Sequence, residues 1–168
     1  CSNNYGPRQH EEKLIPTIIR KALNNKEIPI YGDGKNVRDW IHVDDHTRAL
    51  LMLLEKGEAG QTYNIGSNNE LENIEVIENI CDYLDNKLDT KVSSRELIHF
   101  VEDRPGHDQH YAIDASKLIN DYSWQPEYDF SSGLKMTINW YLDNQSWMND
   151  LKTRDGVGTR LGNKYSKS

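Results

Sequence analysis

The sequence predicts an α/β domain whose strands are arranged in an α+β-like way. Two observations carry this. Short β-rich runs alternate with longer stretches whose apolar residues recur at helical spacing. Those runs are few, which suits two small sheets or the edge of a larger one. A third observation bounds the size: 168 residues are enough for one domain with its own core. A net charge of −7 argues against a general nucleic-acid binder, which would carry a basic stripe. No apolar run approaches the length that spans a bilayer, and the start has no secretory-signal pattern. Cys1 and Cys81 are too few for a disulfide framework and lack metal spacing, so a reducing, cytoplasmic setting is expected.

The elements follow in order, with no internal repeat. Residues 11–24 read as an amphipathic helix, because Leu14, Ile15, Ile18, Ile19, Ala22 and Leu23 share one face and Pro16 falls in its first turns. Ile28–Tyr31 reads as a strand closed by the turn Gly32-Asp33-Gly34, and residues 37–43 as a second extended piece. Asp44 or Asp45 is expected to cap a helix running to about Lys56, stopped by Gly57. Residues 62–65 read as a strand ending at Gly66. Asn73 is expected to cap a helix with the stripe Ile74, Ile77, Ile80, Cys81, Leu84 and Leu88, Cys81 serving as a small buried hydrophobe. Residues 97–101 and 111–113 are β-like. Asp114 caps a short helix to about Tyr122, ended by Trp124-Gln125-Pro126. Ser131 or Ser132 opens a last helix holding Leu134, Ile138, Tyr141 and Leu142. Apolar residues nearly vanish after Lys152, so residues 1–151 are expected to form the folded portion and 152–168 a flexible tail.

Several residues have chemistry to offer. Arg38 lies on a probable strand, and Arg104 in a turn stiffened by Pro105 and Gly106; a planar guanidinium grips phosphate oxygens with two parallel hydrogen bonds. Two such groups converging would suit a diphosphate, while the plainer alternative pairs each with its neighbour, Asp39 or Asp103. Tyr31, at a strand end beside a glycine turn, offers a ring for a planar base or is a half-buried strand aromatic. Asn3 and Asn4 suit a sugar hydroxyl or a carboxamide, or simply form a turn. His107 and His110 lack a third and fourth ligand at metal spacing. The chain contains no Gly-x-Gly-x-x-Gly loop and no Gly-x-Ser-x-Gly elbow.

Taken together, Cys1 through Pro7, Glu12 through Pro16, Pro29 through Gly32, Arg38 through Val43, Asp45-His46, Thr62 through Gly66, and Asp103-Arg104-Pro105-Gly106-His107 through Tyr111-Ala112-Ile113-Asp114 resemble the C-terminal half of the dTDP-glucose 4,6-dehydratases. These are extended short-chain dehydrogenases/reductases. The resemblance covers residues 1–147, and the string beginning at Asp103 is its most specific part. It implies the C-terminal substrate-binding portion of an extended Rossmann-type enzyme, with the last Rossmann elements within about residues 1–66 and the N-terminal dinucleotide-binding part missing. The start at Cys1, without an initiator Met, agrees with that expectation.

The roles it implies are specific. Asn3 contacts the sugar or phosphate, and Asn4 the nicotinamide end of NAD. Lys13 and Leu14 line the nucleotide pocket. Pro29, Ile30 and Tyr31 hold the thymine. Arg38 and Arg104 grip the diphosphate with support from Asn64. Asp103, Pro105 and Gly106 build the turn, and His107 closes the pocket beside Arg104. In the family, NAD takes hydride from sugar C4, water leaves across C5–C6, and the hydride returns to C6. The family's acid and base residues match nothing in this chain, so the chain alone is expected to be inactive. Alternatives are a non-catalytic nucleotide-sugar-binding module, or part of another extended-family enzyme such as a UDP-sugar epimerase or decarboxylase. The helix at 11–24 and the strand at 62–65 are expected to lack packing partners, favouring self-association or a rearranged fold of the early residues.

Overall fold

Isoleucines at helical spacing decide where the core sits. In the computed structural model, which describes residues 1–155, Ile15, Ile18 and Ile19 of helix α1 (Leu14–Leu23) are at most 1% exposed. They meet Val76, Ile77, Ile80, Cys81 and Leu84 of α3 (Asn73–Leu88) and Leu134, Ile138 and Tyr141 of α5 (Phe130–Asp143). Full burial of one such side chain stabilises by about 1.5–3 kcal/mol. The expectation that α1 lacks packing partners is therefore overturned. Among the described residues, exposed apolar side chains cluster instead on α2 (Val43–Lys56), where Leu50, Leu51 and Leu54 are 51%, 54% and 84% exposed. Burial pushes the Cys81 thiol up to about 12, with Asp85 and Asp82 adding to the effect, so it behaves as an inert hydrophobe.

Strand β3 (Val37–His42) organises the larger sheet. Its second half runs parallel to β1 (Asn3–Tyr5), with Asn3 opposite Trp40 and Tyr5 opposite His42. Its first half pairs antiparallel with β4 (Glu70–Glu72) and parallel with β6 (His110–Tyr111). A separate parallel pair joins β2 (Ile28–Tyr31) to β5 (Ile98–Val101). A 3₁₀ turn (Ser94–Leu97) leads into β5, and α4 (Ser116–Tyr122) and α6 (Gln145–Asp155) complete the chain.

Several boundaries depart from the sequence reading. Residues 62–65 form no ladder; the segment is irregular and tied in by the Ser2 amide, which donates to the Ile65 carbonyl at 3.0 Å. Asn3 and Asn4 lie in a strand rather than a turn. The cap of α2 is His42, whose Nδ1 accepts from the Asp44 amide, so Asp44 and Asp45 already lie in the first turn. Glu72, not Asn73, caps α3 through a reciprocal box with Glu75. The N-cap of α4 is Ala115 and not Asp114, which lies one residue earlier and accepts from Ser116 N at 2.9 Å. Asp129, ahead of Ser131 and Ser132, caps α5. Of the tail expected at 152–168, residues 152–155 belong to α6, and the rest lies outside the described residues.

Candidate functional site

The parallel pair β2–β5 ends at Tyr31 and Val101, and the loops after both strands leave from the same end. In parallel α/β architecture, ligands collect at the carboxyl ends of strands. Here that end opens into a cleft of about 600 Å³ lined by Pro29, Tyr31, Val101, Glu102, Asp103, Arg104 and Pro105. The chain after β2 turns sharply: the Gly34 amide donates to the Tyr31 carbonyl at 3.3 Å, and Gly32 and Gly34 take φ of 61° and 76°. Ile30, by contrast, is 3% exposed and packs into the core, so only its backbone faces outward chemistry.

After β5, residues 104–107 form a tight turn, with the His107 amide donating to the Arg104 carbonyl at 3.2 Å. Pro105 and Gly106 occupy its two central positions. Gly106 has φ 70° with open space around its missing Cβ, so conformation alone calls for glycine there. The turn folds His107 back onto its own loop. His107 Nδ1 lies 2.7 Å from Asp103 Oδ1 and its Nε2 lies 2.8 Å from Arg104 Nη2. The Arg104 guanidinium sits 5.0 Å from the centre of the Tyr31 ring. Hydrogen bonds from His107, and from the Arg104 amide, hold the Asp103 carboxyl below its ordinary range.

Arg38 anchors the far end of this loop. Its Nη2 donates to the Asp108 carbonyl at 2.6 Å and its Nη1 to the Val37 carbonyl at 2.6 Å. Buried Asn36 donates to the same Asp108 oxygen. Neither arginine takes the plainer option of an ion pair with its neighbour. Asp39 is 1% exposed and accepts from Ser2, from Ser67 Oγ and from the Asn69 amide at 2.9 Å.

The remaining predicted residues lie outside the cleft lining. Asn4, in β1, accepts at Oδ1 from His46 Nδ1 at 2.7 Å and donates to the Ser2 carbonyl. Asn3 is half-buried in the same strand. Lys13 is exposed at the N-terminus of α1, and Leu14 packs against the core. Asn64 donates to the Asp114 carbonyl at 3.1 Å, joining the segment before Gly66 to the entry of α4. His110 does not join His107; its Nε2 pairs with Glu70 Oε2 at 2.7 Å. Sequence reasoning missed Val101 and Glu102 as lining residues, although a β-like run leading directly into Asp103 was the signal. It also missed His46 as the partner of Asn4.

Parallel strands opening into a cleft at their carboxyl ends fit one class: an extended Rossmann-type α/β fold. Within that class the chain belongs to the family described as GDP-mannose 4,6 dehydratase, whose model matches residues 1–137. It is 51% identical over 153 residues to the dTDP-glucose 4,6-dehydratase of Salmonella typhimurium, covering 91% of this chain and 42% of that relative. Among solved structures it is similar to a dTDP-glucose 4,6-dehydratase from Bacillus anthracis in complex with NAD, with TM-score 0.82 and 48% identity over 90% of this chain and 46% of that one. It is also similar to the Streptomyces venezuelae dTDP-glucose 4,6-dehydratase with NAD and TYD bound, with TM-score 0.81 and 40% identity over 88% and 44%. The chain thus spans less than half the length of each. Among the described residues, no helix is long and apolar enough to cross a membrane.

Proposed function

We propose that the cleft receives the nucleotide end of a dTDP-sugar, and that the chain is the substrate-binding portion of an NAD-dependent dTDP-glucose 4,6-dehydratase, a lyase forming dTDP-4-keto-6-deoxyglucose. One observation carries this reading: an aromatic ring and a guanidinium share the mouth of a cleft at the carboxyl ends of two parallel strands. A cation beside an aromatic wall suits a ligand that is anionic at one end and planar at the other. The relatives named above, two of them with NAD bound, support the choice among such ligands.

In this reading Pro29, the Ile30 backbone and Tyr31 flank the thymine. Arg104 binds the diphosphate. Arg38 holds the loop and offers its second Nη hydrogens, and Asn64 supports the same region. Lys13 and Leu14 edge the nucleotide pocket, and Asn3 reaches the sugar or phosphate. Asn4, oriented by His46, meets the nicotinamide end of NAD. NAD accepts and returns the hydride in such an enzyme. The residues in hand supply only part of its site, because a pyrophosphate cradle needs a glycine-rich turn opening a helix and the sequence contains none. The part this chain plays is to bind and orient the nucleotide. Residues 1–151 act as that binding portion, in a reducing cytoplasmic setting.

Calorimetric titration with dTDP, UDP and NAD tests the reading. Binding of dTDP in preference to UDP is expected, with no turnover of dTDP-glucose by the 168-residue chain. A preference for UDP would overturn the base assignment, and product from the pure chain would overturn the claim of inactivity. Self-association through Leu50, Leu51 and Leu54 belongs to the same proposal. A monomer at all concentrations in light scattering would contradict it.

A further inference from the structure

Asp103, His107, Arg104 and Tyr31 form a linear run of contacts, and donor–acceptor chemistry gives that run a direction. A guanidinium only donates, so the 2.8 Å contact requires His107 Nε2 to be the acceptor. The hydrogen of the neutral ring then sits on Nδ1, where it donates to Asp103 Oδ1 at 2.7 Å. One tautomer satisfies both contacts, and the opposite tautomer breaks both. Asp103 is itself fixed, since its Oδ1 also takes the Arg104 amide at 2.8 Å and its carboxylate packs against Gly32.

We propose that Asp103 and His107 are positioning residues that hold Arg104 as a pre-set phosphate clamp, with the Tyr31 ring as the platform beneath the guanidinium. This rests on the reading that the cleft takes a nucleoside diphosphate, and it changes the roles within it. Asp103 and His107 act on the clamp through Arg104. The Tyr31 face carries the guanidinium, so a base enters beside that stack and not in place of it. The Arg104 contact with His107 uses one Nη2 hydrogen and leaves Nε–H and Nη1 for phosphate oxygens. Fixing the fork beforehand removes the cost of ordering a long side chain when the ligand arrives.

The test uses the full chain, inorganic pyrophosphate and dTDP. Two substitutions separate the two ring nitrogens. Gln in His107→Gln places an amide oxygen where Nε2 lies and retains the hold on Arg104. Asn in His107→Asn reaches Asp103 and falls short of Arg104. The relay predicts a protonated Nδ1 and an unprotonated Nε2 for His107 in long-range proton–nitrogen spectra. It predicts that His107→Asn weakens both ligands about three- to tenfold, the scale of reordering one long side chain, and that His107→Gln stays within about twofold. A proton on Nε2 in the ligand-free chain would overturn it, as would equal losses or equal tolerance in the two variants. Pyrophosphate binding without dTDP binding would remove the thymidine reading and leave the clamp standing. Binding of neither ligand to the unsubstituted chain would remove the clamp as well.

Discussion

Two Arg/Asp dipeptides, Arg38-Asp39 and Asp103-Arg104, have the same composition and opposite fates. On β3, alternation sends Arg38 and Asp39 to opposite faces of the sheet. Asp39 is buried and collects donors from two separate segments, one at Ser2 and one at Ser67 and Asn69. Arg38 faces the loop and ties down its Asp108 carbonyl. In the second pair no strand separates the two side chains, and a turn does the work: His107 is folded back between Asp103 and Arg104. Neither pair is an ion pair. Burial makes the first a structural hub, and exposure leaves the second available for a ligand.

That contrast is open to direct tests. The largest effect is expected at Asp39→Ala. It leaves the Ser2 hydroxyl and the Asn69 amide without their carboxylate acceptor, and should cost about 3 kcal/mol of stability. Denaturant unfolding measures this, and an unchanged midpoint would show that the hub is not structural. Arg104→Ala should do the reverse. It should leave the unfolding midpoint in place and reduce dTDP affinity by about 2 kcal/mol, the worth of charge-assisted hydrogen bonds to phosphate. Equal loss of stability in both variants would erase the distinction drawn here.

A smaller effect concerns pH. His42 is buried at the end of β3, and desolvation lowers its pKa, opposed by the charges of Asp44 and Asp45. A base whose folded pKa is depressed contributes stability fully above its unfolded value, about 6.5, and loses it as pH falls below that. Protonation would also place an N–H where Nδ1 now accepts from the Asp44 amide. The unfolding midpoint should therefore decline between pH 7.5 and 5.5, and the decline should flatten in His42→Asn, which keeps a capping acceptor. A parallel decline in that variant would assign the effect elsewhere. The smallest effect is expected at Asp103→Asn, which should leave the unfolding midpoint unmoved because the loop is exposed.

Much of the fold was legible in the sequence. The stripes on α1, α3 and α5 are long and periodic, and burying them is the main source of stability, so pattern and structure agree except at Leu88, which is 48% exposed at the end of α3. The β2 strand was readable from its β-branched flanks and its glycine turn. The three-residue strands β1 and β4 were not, because their pairing with β3 is a long-range event that three residues cannot signal. Residues 62–65 mislead for the related reason that alternation does not say whether a neighbouring strand exists. The cap at His42 was hidden because Asp44 and Asp45 are stronger capping residues by type. Of the site, the turn at Pro105-Gly106 announced itself, and the resemblance gathered Pro29, Tyr31 and Arg104. What no linear pattern could convey is that His107 sits between Asp103 and Arg104. Which face of Tyr31 is occupied was equally hidden, since both facts depend on how the loop closes in space.

The proposed nucleotide site is the exposed Asp103-Arg104 pair and no other face of the molecule. Backbone amide mapping of the chain during titration with dTDP tests it most directly. Shifts are expected at Ile30, Tyr31 and residues 101–108, with α2 silent. Saturable binding whose shifts fall on another face, or no shifts at millimolar ligand, would contradict it.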